Sequence, residues 1–178
     1  MLNEVGKFER EIRIRDAQLN DAQPILEIQR SVTSEEKYFI TGLKEFNRTV
    51  EDVESWIDKL LQNDRERILV ADLEGEVMAW AAFHSNDRKK LKHTGAVAMM
   101  VGEQFRNKGI GKQLIEELLE WATHHILIEK VSLGVFSTNE RAIALYKSFG
   151  FKEEGRKLKE IKFAEDQYAD DVLMYKFV

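Results

Sequence analysis

The spacing of apolar positions changes along the chain, and each change marks an element. Phe8 to Arg15 alternates, with Ile12 and Ile14 on one face, and predicts a strand. Asn20-Asp21 offers a helix cap and Pro24 suits the first turn, so Ile25, Leu26 and Ile28 continue a helix to about Val32. Ser34 to Asn47 has no clear period and reads as a loop or a broken helix. Thr49 caps a stronger helix, with Glu51 and Asp52 favourably placed in its first turn. Val53, Trp56, Ile57, Leu60 and Leu61 form its apolar stripe. Ile68–Leu73 and Val77–Phe83 predict a hairpin about Glu74-Gly75, followed by a polar loop from Asn86 to Lys92. Ala96–Val101 is uninterrupted and apolar, the pattern of a strand buried on both faces. Gly109 to His125 is helical, with Ile110, Leu114, Ile115, Leu118, Leu119 and Ala122 on one side. Val131–Phe136 predicts a strand and Asn139–Ser148 a helix ended by Gly150. Lys152–Phe163 and Tyr168–Phe177 form a closing antiparallel pair. The order β-α-α-β-β-β-α-β-α-β-β describes a mixed sheet carrying helices, α+β or α/β in class.

Composition narrows the picture. A chain of 178 residues with 43% hydrophobic content forms one globular domain, 1–178, with no internal repeat or linker. The absence of cysteine removes disulfides, a thiol nucleophile and cysteine-ligated metals. It agrees with a cytoplasmic setting. Met1 to Arg10 has the charge pattern of no signal peptide, and no apolar run is long enough to cross a membrane. A net charge of -5 argues against nucleic acid as a partner.

The chemistry concentrates between the central strand and the helix after it. Gly102-Glu103-Gln104-Phe105-Arg106-Asn107-Lys108 leads into Gly109-Ile110-Gly111-Lys112. A helix start offers unpaired N–H groups and partial positive charge, so it attracts anions. Glycines at 109 and 111 let a phosphate approach the backbone, and Arg106, Lys108 and Lys112 supply charged donors. A Walker loop fails here, because Arg106 stands where its first glycine belongs and Gln113 replaces the Ser or Thr. The dinucleotide fingerprint fails at Leu114, which takes the third glycine's place. Arg106, Gly109 and Gly111 fill a third pattern, Arg/Gln-x-x-Gly-x-Gly/Ala.

Val101 to Leu114 resembles the pyrophosphate-binding motif of the GNAT superfamily of acetyltransferases. Asn139-Glu140-Arg141-Ala142-Ile143-Ala144-Leu145-Tyr146-Lys147-Ser148-Phe149-Gly150-Phe151 is similar to that family's downstream motif, at the usual spacing. The resemblance extends over nearly the whole chain. It implies a central, mixed, splayed sheet of about seven strands flanked by about four helices. It implies acetyl-CoA as acetyl donor and direct attack of a primary amine on the thioester, with a small amine, amino acid or polyamine as acceptor. A protein N-terminus and a non-catalytic acyl-CoA-binding domain are the alternatives, and a homodimer is the assembly the family suggests.

By the same resemblance, Tyr146 is the general acid that protonates the departing thiolate, and Asn139 contacts the pantetheine arm. The main chain at Met99, Met100 and Val101 pairs with pantetheine and supplies oxyanion donors. Asn107, Lys108, Gly109, Ile110, Gly111 and Lys112 hold the pyrophosphate with Arg106, while Lys147 and Arg141 meet phosphate charge. The base stays open: the central strand carries no carboxylate, and Glu35, Glu36, His84, His93 and Glu103 are candidates. Deprotonating an amine of pKa about 10.4 at pH 7 costs about 4.6 kcal/mol, so an acceptor that binds already neutral needs none. His124 and His125 point to different faces of a helix end, and no metal is expected.

Overall fold

The computed structural model describes residues 12–178; the reading of Phe8–Glu11 as strand and of the first ten residues lies outside them. The strands are β1 (Arg13–Asp16), β2 (Arg67–Leu73), β3 (Glu76–Ser85), β4 (Thr94–Val101), β5 (Lys130–Phe136), β6 (Lys152–Ala164) and β7 (Gln167–Phe177). The helices are α1 (Ala22–Ser34), α2 (Val50–Leu61), α3 (Ile110–His124) and α4 (Glu140–Ser148). One seven-stranded sheet runs β1-β2-β3-β4-β5-β7-β6. Every neighbouring pair is antiparallel except β4 and β5.

Alternation within the strands builds two cores. Leu69, Ala81, Phe83 and Val97 face α3, whose Leu114, Ile115 and Leu118 are fully buried. Ile68, Val70, Trp80 and Ala82 face the other way, onto Ile25 of α1 and Val53 and Ile57 of α2. Local signals set the boundaries. Thr49 and Asp52 cap α2 reciprocally, at 3.3 and 2.9 Å. Glu74 and Gly75, at φ 53° and 92°, make the β2–β3 turn. Gly150, at φ 84°, ends α4.

Three expectations change. Leu61, placed on the α2 stripe, is 49% exposed. Asp21 precedes α1 but does not cap it; its carboxylate accepts two bonds from Arg15, at 2.7 and 2.8 Å, and one from the Gln18 N–H. Asp72 takes a further Arg15 bond at 2.9 Å, joining the chain's start to β2. The third change positions the site. β4 is not buried on both faces: Ala96 is exposed and Ala98 to Val101 are only half-buried. Its pairing with β5 is confined to Thr94–Lys130, Gly95–Val131 and Ala96–Ser132, after which the two strands part.

Candidate active site

The parting of β4 from β5 opens a cavity of about 320 Å³. Its walls come from β4, the start of α3, Gly134 and Val135 of β5, α4, and Tyr38 and Phe39 between α1 and α2. The main chain of β4 faces the gap on alternate residues. Gly102 N–H donates to Met78 O at 3.0 Å, so Met100 and Ala98, in phase with it, aim their amides at β3. His93 O, out of phase, accepts from Lys130 N–H at 3.1 Å on the β5 side. Val97, Met99 and Val101 share that second phase. Beyond the last β4–β5 pair, the N–H groups left for a ligand are therefore those of Met99 and Val101. Met100, expected to contribute main chain, lines the cavity while its N–H is turned to Trp80's strand.

The helix start lies at one end of the cavity. Gly109, at φ 77°, and Asn107, at φ 62°, turn the chain into α3 through left-handed geometry. The first bond of the helix is Gln113 N–H to Gly109 O, at 3.1 Å, which leaves the preceding amides without helical partners. A Cβ on Gly111 would stand 3.4 Å from the Met99 Sδ-methyl and 3.6 Å from Leu145, taking up space at the cavity wall. Gly109, Ile110, Gly111, Lys112 and Asn107 all line the cavity. Arg141 does too, and it donates to Asn107 Oδ1 at 3.0 Å. Free amides, two glycines and two cations suit a pyrophosphate.

Other predicted contacts fall elsewhere. Lys108 is exposed outside the wall, its ammonium 5.6 Å above the Phe105 ring. Lys147 is exposed on α4 and also lies outside the wall. Arg106 lines the cavity, but its guanidinium is committed: Nη1 and Nη2 form a fork with Glu35, and Nε donates to Val101 O at 3.1 Å.

Tyr146 of α4 and Asn139, the residue before that helix, line the cavity. Asn139 caps the helix, accepting from Ala142 N–H at 3.2 Å, so its amide nitrogen remains for a ligand. Tyr146 is 7% exposed and packs edge-on against Phe151. Burial pushes its phenol up to about 12, so it is protonated throughout the neutral range.

None of the candidate bases lines the cavity, and no carboxylate or histidine does so among the described residues. Glu35 is held by Arg106, while Glu36, His93 and Glu103 are exposed. His84 stacks on Trp56, and burial lowers its pKa. His124 and His125 turn to different carbonyls, Glu120 O at 2.8 Å and Asp64 O at 3.0 Å. Sequence reasoning missed Val97, Gly134, Val135 and Leu145 in the wall. Gly134 had a signal: glycine inside an apolar strand marks a close approach, and a Cβ there would stand 2.9 Å from Asp171 Oδ1.

Known proteins share both the pattern and the fold. Residues 28–151 match the model of the acetyltransferase (GNAT) family. An L-amino acid N-acetyltransferase of Escherichia coli is 27% identical over 56% of this chain and 62% of its own length. An N-alpha-acetyltransferase of Sulfolobus acidocaldarius is 30% identical over 95% of this chain and 92% of its own. A GNAT-family acetyltransferase from Streptococcus pneumoniae superposes with TM-score 0.88, at 27% identity, covering 94% of this chain and all of that one. A Salmonella typhimurium protein solved with its cofactor acetyl-CoA gives TM-score 0.85, at 20% identity and 94% coverage of both chains. With its splayed β4–β5 pair, open helix start and matching motifs, the chain belongs to the acetyltransferase (GNAT) family.

Proposed function

We propose that the protein is an acetyl-CoA-dependent N-acetyltransferase whose acceptor is the α-amine of an amino acid, free or at the head of a peptide. The observation that carries the reading is the cavity joining the unpaired amides of α3 to the unpaired main chain of β4. The pyrophosphate of the donor sits at Gly109 to Lys112, beside Arg141. The pantetheine arm adds to β4 like a further strand, bonding to Met99 and Val101 and to the amide of Asn139. In that register a main-chain N–H of β4 meets the thioester oxygen and stabilises the oxyanion that forms when the amine attacks. The carbon–nitrogen bond forms, the carbon–sulfur bond breaks, and the amine's proton is lost to solvent or to the leaving sulfur.

The wall's lack of acids bears on the acceptor. A polyamine brings further cations that need carboxylate partners, and the lining offers cations instead, from Lys112 and Arg141. The lack of a base in the wall favours an α-amine at the head of a peptide in particular. An α-amine of a peptide, with pKa of about 7.7–8.0, costs only about 1 kcal/mol to deprotonate at pH 7, against about 4.6 kcal/mol for a lysine-like amine. The two relatives named above divide between the free and the peptide-borne α-amine, so both stand within the proposal.

A mass-spectrometric screen with acetyl-CoA tests this over L-amino acids, spermidine and peptides with free N-termini. Acetylation of an α-amine is the expected result, and the product's mass tells free amino acid from peptide. Acetylation of spermidine alone would refute the acceptor class. CoA binding without transfer to any acceptor would favour a non-catalytic binding domain.

A further inference from the structure

Arg106 and Glu35 meet from distant parts of the sequence. Glu35 follows the last turn of α1, and Arg106 follows the single 3₁₀ turn after β4. Their side chains are 13% and 11% exposed, so the pair is largely out of water. Nη1 donates to Oε2 at 2.8 Å and Nη2 to Oε1 in a parallel bond, the two-pronged fit that guanidinium makes to carboxylate. Nε holds Val101 O at 3.1 Å, and the guanidinium carbon stands 5.3 Å from the Tyr38 ring centroid. One side chain thus touches the end of β4, the end of α1 and the aromatic wall of the cavity.

The segment from Glu36 to Arg48 has few other polar ties. Glu36 N–H bonds to Thr33 O, Glu45 and Phe46 bond back to Gly42 and Leu43, and Arg48 reaches Gln29. All these bonds lie within the segment or go to α1. Among the described residues, the Glu35–Arg106 fork is the ion pair that ties the α1 end of this segment to the loop entering α3.

We propose that Arg106 is a positioning residue: it clasps the α1–α2 segment, through Glu35 and Tyr38, to the end of β4, and so sets the acceptor side of the cavity rather than holding the pyrophosphate. The inference rests on the acetyl-CoA reading only for its probe. A guanidinium that spends three of its five donors on a carboxylate and a carbonyl, and its charge on that carboxylate, has less left for phosphate. The pair also presents no net charge to the cavity, so the acceptor meets Tyr38, Phe39 and Val32 as an apolar wall.

The test combines amide hydrogen exchange with calorimetric titration of CoA, on the wild-type chain and on Glu35→Gln, Arg106→Gln and the exchanged pair Glu35→Arg/Arg106→Glu. Exchange at residues 36–48 is expected to quicken at least ten-fold in each single variant, with CoA Kd within two-fold of wild type. The exchanged pair is expected to recover most of the protection. A ten-fold loss of CoA affinity in Arg106→Gln, with exchange at 36–48 unchanged, would overturn the clasp in favour of a phosphate contact. Tighter CoA binding in Glu35→Gln would do the same, since it would show a released arginine turning to phosphate. Faster exchange spread over the whole sheet would show a general loss of stability and also overturn it. Failure of the wild-type chain to bind CoA would count against the proposed function, while the exchange data would still decide the clasp.

Discussion

Replacing Tyr146 by Phe removes one oxygen from the cavity wall and little else. The ring keeps its place 5.7 Å from Phe151, and among the described residues none makes a hydrogen bond to the hydroxyl. Stability should therefore change by less than about 1 kcal/mol, the net worth of one ordinary hydrogen bond. The rate effect follows from the phenol's pKa of about 12. The phenol, raised by burial, is a weaker acid than an ordinary thiol, so full proton transfer to the departing thiolate is uphill. We therefore expect the hydroxyl to act by hydrogen-bonding the sulfur as charge develops on it. A hydrogen bond to a charged group is worth about 1.5–3 kcal/mol, so kcat/KM should fall about 10- to 150-fold. CoA Kd should stay within two-fold, because the bond is made in the transition state. Thiol release followed with a chromogenic disulfide, alongside calorimetry, measures both. A Tyr146→Phe enzyme within two-fold of wild type in kcat/KM would refute the reasoning, as would a loss matched by CoA Kd. The same shift predicts an alkaline signature. The folded phenol holds its proton more tightly than the unfolded one, so this stability is complete below pH 10 and is lost as pH rises toward 12. Tyr146→Phe should remove that part of the alkaline loss.

Other parts of the molecule make equally direct predictions. Gly95→Ala places a Cβ 2.2 Å from Phe83 Cζ and 2.6 Å from the His84 carbonyl, which is fixed in the sheet, so we expect a loss of about 3 kcal/mol or more. Gly155→Ala, with nothing within 4 Å, is its control and should stay within about 0.5 kcal/mol in urea unfolding. Arg15→Ala leaves Asp21, 4% exposed, without its cation, and should cost about 3 kcal/mol and lower Tm by about 6–12 °C in calorimetry. His84, with its pKa lowered by burial, contributes stability that is present above its unfolded pKa of about 6.5 and is lost as pH falls through the folded value. Tm measured from pH 7 down to pH 5 should fall less steeply in His84→Gln than in wild type.

Much of the protein is written locally. The period of the apolar residues marks helices and strands, because a backbone of given pitch presents the same face at fixed intervals. Thr49, Glu74-Gly75, Gly109 and Gly150 mark ends and turns, because capping and positive φ are decided within a few residues. The loop into α3 and the Asn139–Tyr146 segment also state their chemistry locally, since free amides at a helix start need no distant partner. What depends on distant residues was decided by the tertiary structure. Ala96–Val101 read as a doubly buried strand, but its pairing with β5 stops at Ala96–Ser132 and the rest of its face opens onto the cavity. An apolar run reports affinity for a low-dielectric surface and does not say whether protein or ligand supplies it. Arg106 carried a motif position, yet its partner lies 71 residues earlier, at the end of α1. Lys108 and Lys147 matched the charge that phosphate needs, and the turn before α3 and the outer face of α4 left them exposed outside the cavity wall. A charge in a sequence has a sign but no direction, and direction is what the packed sheet and helices supply.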